Sequence, residues 1–303
     1  MVSVAMPSQI DPLRLLQRAF PIIEHAWTAR DTQFYALSLG LGSDPLDPGP
    51  LPYVYEGLSG DALVALPTLA NVLAYPGFWA REPDTGIAWE QVVHAEHELT
   101  LHTPLQATGH ATGHTRVTAL WDRGEGRGAF LQQVREIRDM ASGNLMATVR
   151  QLNFLRGDGG LGAGASEGSP PLPHPIPERA PDAVCDLATS PQAALLYRLC
   201  GDLNPLHADP AVAARAGFSR PILHGMATMG IAAHAVLRAL LDYDATRFAA
   251  MRVRFTAPAL PGDTLRTELW VDGDQVSLRT TALERGAVVL NHGRVDLRPS
   301  SIA

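Results

Sequence analysis

The apolar run from Ile222 to about Leu241, with four β-rich runs close behind it, most constrains how this chain can fold. Pro221 stands where a helix would open, so a long helix is predicted over the run. Its length would suit a bilayer. His224, His234 and Arg238 fall inside it, however, and a helix buried in a soluble core accounts for them better. The β-rich runs are Ala250–Ala257, Thr264–Asp272, Gln275–Leu283 and Ala287–Leu297. Asp272-Gly273-Asp274 and Glu284-Arg285-Gly286 lie between the later ones as hairpin turns. One helix followed by an antiparallel meander can bury both elements if the sheet wraps the helix, an α+β layout.

The chain has 303 residues, enough for two domains. A Gly-, Pro- and Ser-rich stretch beginning Gly157-Asp158-Gly159-Gly160-Leu161-Gly162 and passing through Pro170-Pro171-Leu172-Pro173 cannot bury a core. It is read as a linker over 157–185, between an N-terminal unit at 1–156 and a C-terminal unit at 186–303. Strands are expected in the first unit at Gln33–Gly40, Val92–Thr103, His114–Asp122, Ala129–Asp139 and Leu145–Phe154. This meander echoes the second unit, so a duplication is expected. The counterpart of the long helix would be Asp61 to Ala74, but Pro67 interrupts it, and the helix is expected to be reduced.

Hydrophobic residues make up 46% of the chain and charged residues 18%, a globular balance. The net charge of −7 argues against a nucleic-acid or anionic-membrane partner. Two cysteines do not make a disulfide framework, which points to a reducing, cytoplasmic setting. Met1 to Asp11 lacks the pattern of a secretory leader, and Ser300-Ser301-Ile302-Ala303 is not a peroxisomal address.

The chemistry concentrates in Gly201-Asp202-Leu203-Asn204-Pro205-Leu206-His207. Gly201 allows an unusual φ and Pro205 stops helix continuation, so an acid, an amide and an imidazole share one rigid turn. Asp202 and His207 suit general acid/base work. In isolation, Asp202 or Asn204 could equally cap a helix end. His224 reads either as a third acid/base or as a hydrogen-bonded histidine shaping the helix start, and the second is preferred. His94, His97 and His102 carry no metal expectation, because strand spacing of three and five sends them to opposite faces. The glycine string at 157–162 matches a dinucleotide fingerprint in letters, but a Pro-rich stretch follows where a helix is needed.

The string Tyr197-Arg198-Leu199-Cys200-Gly201-Asp202-Leu203-Asn204-Pro205-Leu206-His207-Ala208-Asp209-Pro210 resembles the signature of the MaoC-like, hydratase-2 family of (R)-specific enoyl-CoA hydratases. The resemblance continues through Ala216 to Gly225, Arg254-Phe255-Thr256-Ala257-Pro258 and Pro261-Gly262-Asp263-Thr264-Leu265. More loosely, it takes in Phe34 to Gly42 and Gly159 to Gly162 of the two-repeat members. It implies a double hot-dog fold and reversible hydration of trans-2-enoyl-CoA to (R)-3-hydroxyacyl-CoA without a cofactor or metal. Carried over, Asp202 and His207 are the acid/base pair, Asn204 orients the water or the pair, and the Gly225 N–H meets the thioester oxygen. A helix start suits that last role, since its amides are unpaired and its dipole is positive.

The resemblance also implies an acyl-CoA thioester as substrate and a homodimer as assembly. Leu203 replaces a frequent aromatic and is expected to alter pocket shape, with His224 beside it at the substrate. Arg252 and Arg254 alternate along a strand and share a face, either solvated or in contact with CoA phosphates. Cys200 stands where a small hydroxyl residue is usual. His94-Ala95-Glu96-His97 only approximates the family's His-Gly-Glu-Gln segment. The first unit is expected to shape the acyl pocket and, lacking a long helix, to leave room for a bulky tail. The rival readings are a hydratase or dehydratase of a branched, dicarboxylic or steroid-derived acyl-CoA, and a non-catalytic acyl-CoA-binding subunit.

Overall fold

The computed structural model describes residues 9–57 and 63–299. The readings of the first residues and of Ser300–Ala303 lie outside them, as do residues 61 and 62 of the expected first-unit helix.

Among the described residues ten strands form one antiparallel sheet. They are β1 (Ile23–Trp27), β2 (Val92–Leu101), β3 (Gly109–Asp122), β4 (Ala129–Asp139), β5 (Leu145–Leu155), β6 (Ala183–Ala188), β7 (Phe248–Phe255), β8 (Thr264–Asp272), β9 (Gln275–Ala282) and β10 (Ala287–Leu297). Their order is β1-β3-β4-β5-β2-β7-β10-β9-β8-β6. Each half of that order follows the same rule, first strand outermost and second strand innermost, so the sheet is two copies of one five-stranded unit joined edge to edge. The joint is β2 against β7, with Glu96 opposite Arg254 and Glu98 opposite Arg252. This is the double hot-dog that the C-terminal motifs imply.

The helices are α1 (Pro12–Leu16), α2 (Ala29–Ser38), α3 (Leu51–Val54), α4 (Ala193–Tyr197), α5 (Pro210–Arg215) and α6 (Gly225–Leu240). Every residue of α6 from Ala227 to Leu237 is buried, as expected of a helix apolar on all sides. It starts three residues later than its expected first residue. Pro221 through His224 instead run as an extended lead-in, which makes Gly225 the first helical residue.

The first unit departs from expectation at Gln33–Gly40, which is helix α2 and not a strand. Thr28 and Asp31 form a capping box that opens a helix there, and Thr32, Tyr35 and Ala36 repeat at helical spacing on its buried side. The counterpart of α6 is reduced, as Pro67 implied, to a 3₁₀ turn at Pro67–Asn71 that packs against α6. A core cluster runs through both units, including Tyr35, Leu39 and Leu69 from the first and Met229, Ile231 and Leu237 from the second. A smaller cluster around Trp79, Leu120 and Leu131 closes the far end of the first unit. Strand β6 begins at Ala183, inside the stretch read as linker, and pairs with β8. No described helix is long and apolar enough to cross a membrane.

Candidate active site

The loop after α4 is built from local rules. A 3₁₀ turn at Arg198–Cys200 ends at Gly201, whose φ of 122° disfavours any side chain. Asn204 then caps a second 3₁₀ turn, Pro205–His207, by accepting from the Leu206 N–H at 3.0 Å. Asp202 Oδ1 accepts from the Asn204 N–H at 3.2 Å. Asn204 is therefore engaged in holding the loop. Asp209 caps α5 by accepting from Ala211 N and Val212 N.

His207 is 8% exposed and stacks on His224, with ring centroids 3.7 Å apart and planes 27° apart. Its Nδ1–H donates to the Ile222 carbonyl at 2.9 Å, which leaves the Nε2 lone pair free to take a proton. Burial lowers its pKa, while the Ile222 bond and the Asp202 charge act against that. The neutral, proton-accepting form is thereby favoured near neutral pH. The ligand-type atoms of Asp202, His207 and His224 all lie within 4.8 Å of one another. Those donors are close enough to hold a cation as well, and acid/base work would use the same atoms.

His224 is the N-cap of α6 and its Nε2–H donates to the Asp202 carbonyl at 3.2 Å. Burial holds its pKa down at about 3. That contact ties the start of α6 to the backbone of the Gly201–His207 loop. Gly225 follows it at the first turn of a 16-residue helix, so its N–H has no carbonyl one turn back. A Cβ there would sit 3.0 Å from the Phe255 ring. The loop is thus tied to the lead-in and start of α6 by two hydrogen bonds, His207 to the Ile222 carbonyl and His224 to the Asp202 carbonyl.

Three residues expected at the substrate, Leu203, Arg252 and Arg254, do not line the cavity beside Asp202. Leu203 is 60% exposed at the loop tip and is absent from the cavity wall. Arg252 and Arg254 are committed to Glu96. Arg252 Nε and Nη2 donate to one oxygen at 2.9 and 2.5 Å, and Arg254 Nε and Nη2 to the other at 3.0 and 2.5 Å. Arg252 also reaches the Leu172 carbonyl. Both arginines stay partly exposed, at 24% and 31%, and their ion pairs with Glu96 span the joint between the units.

A cavity is lined by Tyr197, Gly201, Asp202 and Met226 of the second unit together with residues of the first. His94 and His97 both line it. The expectation that they point to opposite faces fails because a bulge between His94 and Glu96 shifts the register. Their rings meet, with His97 Nδ1 3.3 Å from His94 Nε2, and His97 Nε2 lies 3.0 Å from Asn71 Oδ1. His102 bonds Thr148 instead. Arg135, Gln133 and Gln151 also line the cavity and were not singled out from the sequence. Polar and apolar residues mix on both faces of β4, so alternation alone does not show which face Arg135 takes. The glycine string at 157–162 opens no helix; Gly160 and Leu161 donate their N–H groups to the Asp122 carboxylate.

Residues 174–292 match the family described as MaoC like domain, and residues 25–157 match MFE-2 hydratase 2 N-terminal domain. The chain is similar to enoyl-CoA hydratase ChsH3 of Mycobacterium tuberculosis, 39% identical over 97% of this chain and all of that one. It is also similar to the peroxisomal enoyl-CoA hydratase 2 of Arabidopsis thaliana, 34% identical over 94% of each. Among solved structures, a MaoC-like dehydratase from Phytophthora capsici superposes with a TM-score of 0.82 at 28% identity, covering 96% of this chain and all of that one.

Proposed function

The chain belongs to the MaoC-like, hydratase-2 family, and from that premise we propose that it hydrates trans-2-enoyl-CoA to (R)-3-hydroxyacyl-CoA, reversibly. The observation that carries this reading is the pairing of Asp202 and His207 beside the first turn of α6. Water held between the two groups loses a proton to one of them as its oxygen bonds C3, and a proton is delivered to C2. The thioester oxygen carries the negative charge between those events, and the Gly225 N–H at the positive end of α6 stabilises it. Asn204 and His224 act one step back by fixing the loop backbone.

The acyl tail enters the cavity between the units, so the first unit supplies its wall. An acid/base pair kept intact beside a cavity favours catalysis over a binding-only role. We further assign the chain a homodimeric, cytoplasmic setting, on the resemblance and on the two free thiols, Cys185 and Cys200. The test is loss of the enoyl-thioester absorbance of crotonyl-CoA and decenoyl-CoA, with chiral analysis of the product. Formation of the (R)-3-hydroxyacyl thioester is expected. An (S) product, or no loss of absorbance, would refute the reading.

A further inference from the structure

Asp202 shares its cavity with one buried cation, contributed by the first unit. Arg135 lies on β4, is 5% exposed and lines the cavity. Its Nη2 donates to the Asn71 carbonyl at 2.7 Å, its guanidinium stands 5.6 Å from the Tyr75 ring centre, and its Nε is buried with no hydrogen-bond partner. Among the described residues no carboxylate lies within ion-pair distance of it, whereas Arg252 and Arg254 share Glu96 and Arg285 has Asp263. A cation removed from water and left with neutral partners is costly, and proteins ordinarily pair it.

The surroundings do not offset the charge. Burial lowers Arg135 to about 10, which leaves it cationic at neutral pH. Burial also holds His94 at about 4 and pushes His97 well below the usual imidazole value, so both imidazoles are neutral. The Gln133 amide donates to Gln151 at 3.0 Å beside them. A wall built for a plain hydrocarbon tail would carry apolar side chains at these inward positions.

We propose that the acyl group of the substrate bears a carboxylate at its far end and that Arg135 pairs with it. This rests on the hydratase reading of the same site and names its substrate class. Arg135 is then a specificity-determining residue. It supplies a charge-assisted contact to a group remote from the reacting carbons, which helps hold C2 and C3 against Asp202 and His207. CoA's own phosphates are the other available anions. They lie at the opposite end of the thioester from the tail that would enter this cavity.

The experiment compares kcat/KM for ω-carboxy-trans-2-enoyl-CoA and for the straight-chain enoyl-CoA of equal length, over six to twelve carbons. It is run on the wild type, Arg135→Leu and Arg135→Lys, with melting curves for each. The wild type is expected to favour the carboxylated series. Arg135→Leu should reduce that selectivity ratio about 10- to 100-fold, the usual weight of a hydrogen bond to a charged group, and Arg135→Lys should restore part of it. A wild-type ratio at or below one overturns the proposal, as does a ratio that Arg135→Leu leaves unchanged. If Arg135 served CoA phosphates, KM would rise equally for both series and the ratio would hold, which also overturns it.

Absence of turnover on every thioester, crotonyl-CoA included, would refute the hydratase reading itself. The anion site is then judged by the melting-temperature rise that saturated ω-carboxyacyl-CoA produces over its uncharged match. A larger rise in the wild type that Arg135→Leu abolishes supports the site, and equal rises overturn it.

Discussion

Replacing Glu96 with glutamine tests what holds the two units together, and therefore what keeps the cavity in shape. The Glu96 side chain is 7% exposed and sits between Arg252 and Arg254, which are 24% and 31% exposed. Each carboxylate oxygen accepts two guanidinium N–H groups, one fork from each arginine. Breaking a fully buried ion pair costs about 3–5 kcal/mol. Here the arginines can recover some hydration, so the expected loss is about 2–3 kcal/mol. Over 303 residues that corresponds to a melting temperature about 3–5 °C lower. Differential scanning calorimetry of Glu96→Gln reads it directly, and Arg252→Met and Arg254→Met complete a double-mutant cycle. A Glu96→Gln melt within about 1 °C of wild type would refute the brace. If the arginine variants raised KM for crotonyl-CoA while leaving the melt unchanged, the arginines would be CoA contacts after all.

Two further outcomes follow from packing and charge. Gly113→Ala would place a Cβ 2.6 Å from the Ala74 carbonyl oxygen and 2.7 Å from Ala74 Cβ, so the segment carrying Asn71 and Tyr75 must move. A stability loss of about 1–3 kcal/mol is expected from such overpacking, with a fall in kcat/KM for longer acyl chains, and an unchanged melt would contradict it. Burial holds His94 and His234 at about 4 and His224 at about 3. Between those values and the unfolded value near 6.5 the unfolded chain binds more protons, so stability is full above pH 6.5 and falls as pH drops. Each imidazole contributes up to about 1.4 kcal/mol per pH unit in that window. Urea unfolding at pH 7.5 and 5.5 checks the sign; equal or greater stability at pH 5.5 would contradict it.

The C-terminal unit was legible because its signals are local. Asp209-Pro210 and Gly217 punctuate α5, an apolar run makes α6, and tight turns fix β8, β9 and β10. The first unit hid more. Gln33–Gly40 holds enough apolar and aromatic residues to pass for a strand, and the Thr28–Asp31 capping box that decides for helix lies just before it. The His94–His97 contact depends on a bulge, which is a property of pairing with β5 and not of the sequence near it. Arg252 and Arg254 were correctly placed on one face, but their partner stands more than 150 positions away, as the separations of 156 and 158 show. Arg135 was missed for the same kind of reason: its isolation exists only once Asn71, Tyr75 and the sheet close around it.

The central claim is that the loop from Gly201 to His207 performs the chemistry. Asp202→Asn and His207→Gln tested on crotonyl-CoA, each with a melting curve, address it most directly. Loss of a positioned acid/base group should lower kcat by about 10²–10⁴-fold, with both variants still melting cooperatively near the wild-type temperature. Turnover near the wild-type rate by either folded variant would contradict the assignment.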